Sequence, residues 1–245
     1  KSDMVTVQVL LEKRGTKGHN ETNENLWLSG RNEKMFHMKE EFGGVPEKEV
    51  LAEILQADME NIRGTMESLD KEAFSMAAEL IQNAKKIYIV GIRSCEPLAD
   101  FLGFYLNMLF DEVHVVRTNS ASEIFEQLMR IGAGDVLIGI SFPKYSMRTV
   151  KAMELANSRS AGVISITDSI HSPLNLYSSC NLIARSEMAF VVDSLTAPLS
   201  VINALIVALR LRNQDSLKQS IDTLDQLYDD YQVYGRDEMD PLMVK

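Results

Sequence analysis

The sequence predicts an α/β fold, a five-stranded doubly wound parallel sheet flanked by helices and preceded by a linker helix. Three observations carry this. From Lys86 onward, short apolar runs rich in β-branched residues alternate with segments of helical periodicity. Those runs are apolar at every position, not at every second one, as strands covered on both faces must be. Ahead of them, residues 46–82 show only helical spacing.

Taken in order, residues 1–45 read as an irregular N-terminal segment. Residues 1–50 carry eight basic and nine acidic residues, with Gly15, Gly18, Gly30, Gly43 and Gly44 among them. Val5, Val7, Val9, Leu10 and Leu11 begin an apolar pattern that does not survive past Arg14. Such a stretch lacks the apolar surface to offset its ordering entropy, so residues 12–45 are expected to be loosely ordered. Because the chain begins with Lys1 and not Met, a fragment or processed product is expected.

Pro46 suits a first helical turn, where its missing N–H would be unpaired in any case. Leu51, Ile54, Leu55, Met59, Ile62, Met66 and Leu69 then recur at three- and four-residue spacing. Asp70 is placed to cap a second helix with Phe74, Ala77, Ala78 and Ile81 on its inner face. These linker helices, residues 46–74, either are simply packing helices or join an upstream module or form a dimer seam. Packing on the domain is the preferred reading.

The strands are expected at Ile87–Val90, Val113–Val116, Val136–Ile140, Val163–Ile166 and Asn181–Ala184. Ser120-Ala121-Ser122-Glu123 reads as a capping box before Ile124, Phe125 and Leu128. Ser146 and Ser172-Pro173 also read as helix starts. Leu199, Ile202, Leu205, Ile206 and Leu209 form a core stripe at helical spacing, and a last helix runs to about Tyr231. The domain proper spans residues 75–235.

Composition narrows the function classes. The 245 residues are 45% apolar and 24% charged, which is ordinary for a globular protein. A net charge of −10 repels phosphate backbones, so DNA contact would need a separate basic module. Cys95 and Cys180 are too few for a disulfide framework, and no stretch resembles a signal peptide or membrane span. A soluble cytoplasmic protein is expected. The absence of G-x-G-x-x-G and G-x-x-x-x-G-K-[ST] argues against a dinucleotide or ATP site, and no residues show metal-ligand spacing, so no cofactor and no metal is expected.

In a doubly wound sheet, ligands bind at the carboxyl ends of the strands. The first strand is followed by Gly91-Ile92-Arg93-Ser94-Cys95 and the third by Ser141 through Thr149. The fourth is followed by Thr167-Asp168-Ser169-Ile170-His171-Ser172 and the fifth by Ser186-Glu187. Any one serine at a helix start is first of all a cap. Three hydroxyl-rich loops on one sheet edge, with helix N-termini beside them, point further, to a dianionic phosphate. Arg93 and Lys144 would add positive charge. Cys95, near a helix start, is either a reactive thiol or a small buried filler. His171 is either a proton carrier or an ordinary loop histidine. Glu187 is either a general base for enolisation or a solvated carboxylate.

At these loops the sequence resembles the SIS (sugar isomerase) domain. That family has a Gly-x-x-Ser turn after its first strand, matched here by Gly91-Ile92-Arg93-Ser94, and an S-x-S-G-x-T loop after its third. Here Ser141 is followed by four residues, Phe142 to Tyr145, and then by Ser146-Met147-Arg148-Thr149, with Met147 where the family has glycine. Residues from about 50 to 235 more specifically resemble the sensor half of RpiR-type transcriptional regulators. The supporting phrases are Asp58-Met59-Glu60-Asn61-Ile62, Gly139-Ile140-Ser141-Phe142-Pro143, Ile166-Thr167-Asp168-Ser169 and Val192-Asp193-Ser194-Leu195. The resemblance implies a sugar-phosphate ligand held by Ser94, Ser141, Ser146 and Thr149, to which the reading of the loops adds Arg93, Lys144 and Glu187 as ligand-binding residues. It also implies a homodimer or homotetramer, and DNA binding through an upstream helix-turn-helix. Residues 1–45 are too short and irregular for a complete head of that kind and are at most its remnant.

Three functions follow from this reading. A sensor of phosphorylated sugars needs only the binding residues. An aldose–ketose phosphate isomerase would use Glu187 as its base. An oligomerisation module would leave the pocket empty.

Overall fold

The computed structural model describes residues 46–117, 120–187 and 193–213, together with Leu227. The chain divides into two compact units, Lys1–Ile54 with Met188–Val192, and Leu55–Glu187 with Asp193–Lys245. Of the first unit only residues 46–54 are described, and from Glu47 they are helical. The expectations for residues 12–45 and for the helix to Tyr231 lie outside the described residues.

The elements follow the alternation read from the sequence. Helices α1 (Glu47–Glu67) and α2 (Lys71–Gln82) precede β1 (Ile87–Gly91), α3 (Glu96–Asn107), β2 (Val113–Val115) and α4 (Ala121–Gln127). Then come β3 (Val136–Ile140), α5 (Met147–Ser158), β4 (Gly162–Thr167), β5 (Cys180–Ile183) and α6 (Thr196–Arg212). The strand bounds differ from the expected ones by a residue or so. Short 3-10 turns occupy Arg93–Cys95 and Pro173–Leu176, so Ser172 starts a 3-10 turn and not an α-helix.

All five strands pair in parallel, in the order β2-β1-β3-β4-β5. β1 and β3 are buried at every residue, as their unbroken apolar sequence requires. Successive side chains go to opposite faces. Ile87, Ile89, Ile138 and Ile164 join one core with α2, α3 and α6, while Tyr88, Val90, Leu137 and Val163 join the other with α4 and α5. The expected inner face of α2 and the α6 stripe lie in the first core. Asp70 caps α2 by accepting from the amides of Glu72 and Ala73, and Ser120 caps α4 through the Glu123 amide.

One expectation is corrected. The apolar stripe of α1 does not pack on the domain: Leu55, Met59, Ile62, Met66 and Leu69 are all exposed. The buried residues of α1 are Asn61, Gly64 and Thr65. The reason is chemical. The surface that α1 meets is backbone N–H and C=O of residues 185–187, which polar side chains satisfy and apolar ones cannot.

Candidate functional site

Crossovers from β1 lead to β2 on one side, while those from β3 lead to β4 and β5 on the other. The carboxyl ends of β1 and β3 therefore diverge, and the crevice between them is where a sheet of this order takes its ligand. The two loops at that point are 91–95 and 141–146.

The first loop turns tightly. A Cβ on Gly91 would lie 2.5 Å from the Cys95 carbonyl oxygen, so only glycine lets the turn close on the strand end. Arg93 is exposed in the left-handed region (φ 60°), and Ser94 is exposed beside it. Cys95 is buried. Burial pushes its thiol up to about 11, against smaller lowering by hydrogen bonds from the Phe142 backbone and the Ser94 side chain. The structure thus selects the buried filler over the reactive thiol, and the Phe142 contact ties the first loop to the second.

In the second loop Ser141 is buried, and its Oγ accepts from the Ser146 amide at 3.0 Å, closing the four-residue insert. Lys144, at the tip of the insert, is exposed with φ 73°. Tyr145 folds back so that its hydroxyl donates to Asp168 Oδ1 at 2.8 Å. Burial first, and then Asp168, pushes the Tyr145 phenol up to about 12. The loop after β4 that carries Asp168 is itself braced by Thr167 Oγ1 donating to Ser172 Oγ at 2.9 Å.

Ser146 is the N-cap residue of α5, yet its side chain makes no capping bond. The first turn of this 12-residue helix therefore lacks the cap that Asp70 and Ser120 supply elsewhere. Thr149, in that turn, is 0% exposed, and its hydroxyl has no hydrogen-bond partner among the described residues. Leaving a buried hydroxyl unbonded costs about 1–3 kcal/mol. An oxyanion at the start of α5 meets both deficits, since it accepts from amides and hydroxyls together.

Six of the seven expected site residues thus belong to two touching loops and the helix start that follows the second: Arg93, Ser94, Ser141, Lys144, Ser146 and Thr149. Glu187 stands apart, beyond edge strand β5. Its side chain is 81% exposed, 4.0 Å from Arg185 Nη1. His171 is exposed. Sequence reasoning missed the Tyr145–Asp168 bond and the hold of Asn61 on Glu187, because partners 23 and 126 residues apart leave no local spacing to read.

Among the described residues, two cavities lie away from these loops. One of about 590 Å³ sits between β2 and the end of α4, lined by Lys86, Tyr88, His114 and Arg130 among others; one of about 310 Å³ lies at the amino end of the sheet. Among the described residues no group of three or more His, Cys, Asp or Glu could hold a metal ion, and no helix is long and apolar enough to cross a membrane.

Known proteins share this architecture. An uncharacterised HTH-type transcriptional regulator of Caldanaerobacter subterraneus subsp. tengcongensis is 26% identical over 186 residues, 73% of this chain and 64% of that protein. The chain thus spans just under two thirds of that relative. The crystal structure of the sugar isomerase domain of an RpiR transcription factor from Sphaerobacter thermophilus superposes with a TM-score of 0.70 at 25% identity, covering 73% of this chain and 99% of that one. The Vibrio vulnificus NanR protein complexed with ManNAc-6P superposes with a TM-score of 0.61 at 19% identity, over 71% of this chain and 67% of that one, a likeness of fold. The family model of the SIS domain matches residues 80–208, more than half of the sequence, and with the strand order and the switch-point loops this establishes that the chain belongs to the SIS-domain family.

Proposed function

We propose that this chain is the phosphosugar-sensing effector part of an RpiR-type transcriptional regulator of carbohydrate metabolism. The observation that carries the reading is the unpartnered, fully buried Thr149 hydroxyl in the uncapped first turn of α5, at the switch point of the sheet. A phosphate dianion there accepts from the Thr149 and Ser146 hydroxyls and the turn's amides, while Ser94 and Arg93 approach from the β1 loop and Lys144 from the β3 loop. The ManNAc-6P bound by NanR, a protein of the same fold, supports a sugar phosphate as the ligand class. DNA binding belongs to an upstream helix-turn-helix, as in the regulators this chain resembles, and the assembly is a homodimer or homotetramer.

The isomerase alternative asks Glu187 to be a general base. A base works from a site that shields it from water and holds it against the substrate proton. The carboxylate of Glu187 is almost wholly solvated, which supports sensing over turnover.

The test is thermal unfolding against sugar phosphates and their unphosphorylated parents. A ligand at 100 times its Kd adds about 2.7 kcal/mol of stability. A raised midpoint with a sugar phosphate and none with its parent supports the reading. Equal shifts with both, or no shift across a panel of aldose and ketose phosphates, refutes it.

A further inference from the structure

Helix α1 is held to the domain by an unusual set of contacts. Its apolar stripe faces away, and a polar face makes the attachment. At the centre is Asn61, 3% exposed. Its Nδ2 donates to the Glu187 carbonyl at 3.1 Å, and its Oδ1 accepts from the Glu187 amide at 3.0 Å. One side-chain amide thus does for Glu187 what a further strand beyond edge strand β5 would do.

One turn on, Thr65 extends the same contact. Its hydroxyl donates to the Asn61 carbonyl and accepts from the Arg185 amide, both at 2.8 Å. Between them, the Arg185 side chain lies over Gly64, with its Nε 2.5 Å from where a Cβ would stand. The following stretch returns to the same helix. Ser186 Oγ donates to the Ser194 carbonyl at 2.7 Å, and Ser194 Oγ donates to Asp58 Oδ1 at 2.5 Å.

We infer that Asn61 is a positioning residue that locks the Arg185–Glu187 segment to α1, so that the segment leaving edge strand β5 and the linker helix move as one unit. The physical reason is that α1 has little buried apolar surface here to hold it by itself. Its position is set by directional hydrogen bonds to backbone, which transmit a displacement of Glu187 and tolerate little slip. Only the identity of the signal, a bound sugar phosphate, rests on the sensor reading above. The lock itself is a property of the ligand-free chain.

Hydrogen–deuterium exchange on the 245-residue chain tests this. In Asn61→Ala, amides of Arg185–Glu187 and of α1 from Leu55 to Glu67 should both exchange about tenfold faster, while β1 and β3 keep their protection. Asn61→Asp, which still accepts from the Glu187 amide, should fall between. If Asn61→Ala does not fold, Thr65→Val breaks the Arg185 link at nearly constant shape and should give the same paired pattern, smaller. Acceleration on one side only overturns the inference. A second arm adds N-acetylmannosamine 6-phosphate, with inorganic phosphate as control. If the sugar phosphate raises the wild-type melting temperature and alters α1 exchange in wild type but not in Asn61→Ala, the lock carries the signal. If it binds and α1 exchange is unchanged in wild type, the role of the lock in carrying the signal is overturned, and the ligand-free arm decides the lock itself. If neither probe binds, the sensor reading loses its support, and the ligand-free arm alone decides the lock.

Discussion

Replacing Thr149 by Val separates the cost of the site from its use. The two side chains have nearly the same shape, both are β-branched, and position 149 lies in the first turn of α5, where either is tolerated. In the ligand-free protein the Thr149 hydroxyl is fully buried and has no hydrogen-bond partner among the described residues. An unsatisfied buried hydroxyl costs about 1–3 kcal/mol, and the valine methyl removes that cost without opening a cavity. For a chain of this size about 1 kcal/mol moves the melting temperature by about 2–4 °C, so Thr149→Val should melt a few degrees above wild type without ligand. In the complex the sign reverses. A hydrogen bond to a charged phosphate is worth about 1.5–3 kcal/mol, so affinity for a sugar phosphate should fall about tenfold to a hundredfold. Differential scanning fluorimetry with and without sugar phosphate, followed by calorimetric titration, reads both effects. A variant less stable than wild type without ligand, or one that binds sugar phosphate with undiminished affinity, would refute the assignment of Thr149.

Other perturbations probe the neighbouring parts of the account. Glu187→Gln should leave sugar-phosphate affinity within about twofold, because the carboxylate is solvated and its backbone contacts to Asn61 survive the change; wild-type turnover of an aldose phosphate to its ketose, abolished in this variant, would instead favour the isomerase. Tyr145→Phe deletes the bond to Asp168 and should lower stability by about 1–2 kcal/mol at neutral pH. The folded-state phenol is raised to about 12 from an unfolded value of 10, so its contribution is full below pH 10 and is lost as pH rises towards 12. The gap between wild type and Tyr145→Phe, followed by urea unfolding at stepped pH, should therefore close over that window, and a constant gap would contradict it. Burial raises both Cys95 and Cys180 to about 11, so at pH 8 only about one thiol in a thousand is thiolate. Labelling by a disulfide reagent in the native state should be slow and complete only on unfolding; rapid native labelling of either residue would contradict its burial.

The sheet was legible because β-branched residues crowd into short runs that no half-exposed strand would carry, and Val136–Ile140 was located to the residue. The nearness of the two serine-bearing loops was legible from their places after the first and third strands, which are neighbours in the sheet. The packing of α1 was not. Periodicity reports that a helix has an apolar side and leaves open which side the domain needs, and here the domain presents backbone amides and carbonyls to Asn61 and Thr65. Ser146 illustrates a finer limit. Its place at the start of α5 was readable, but the missing capping bond depends on a loop closed by Ser141 five residues earlier. The Tyr145–Asp168 brace likewise joins two loops whose meeting depends on the β3–β4 pairing.

The central claim is that the phosphate of a sugar phosphate sits between the β1 loop and the start of α5. Backbone amide NMR of the labelled chain, titrated with a sugar phosphate that stabilises it, reads this residue by residue. The largest shifts should fall on Ser94, Cys95 and the amides from Ser146 to Thr149, and Thr149→Val should weaken them. Shifts centred instead on Tyr88 and His114 beside the larger cavity, with the loops at 91–95 and 141–149 unmoved, would contradict the account.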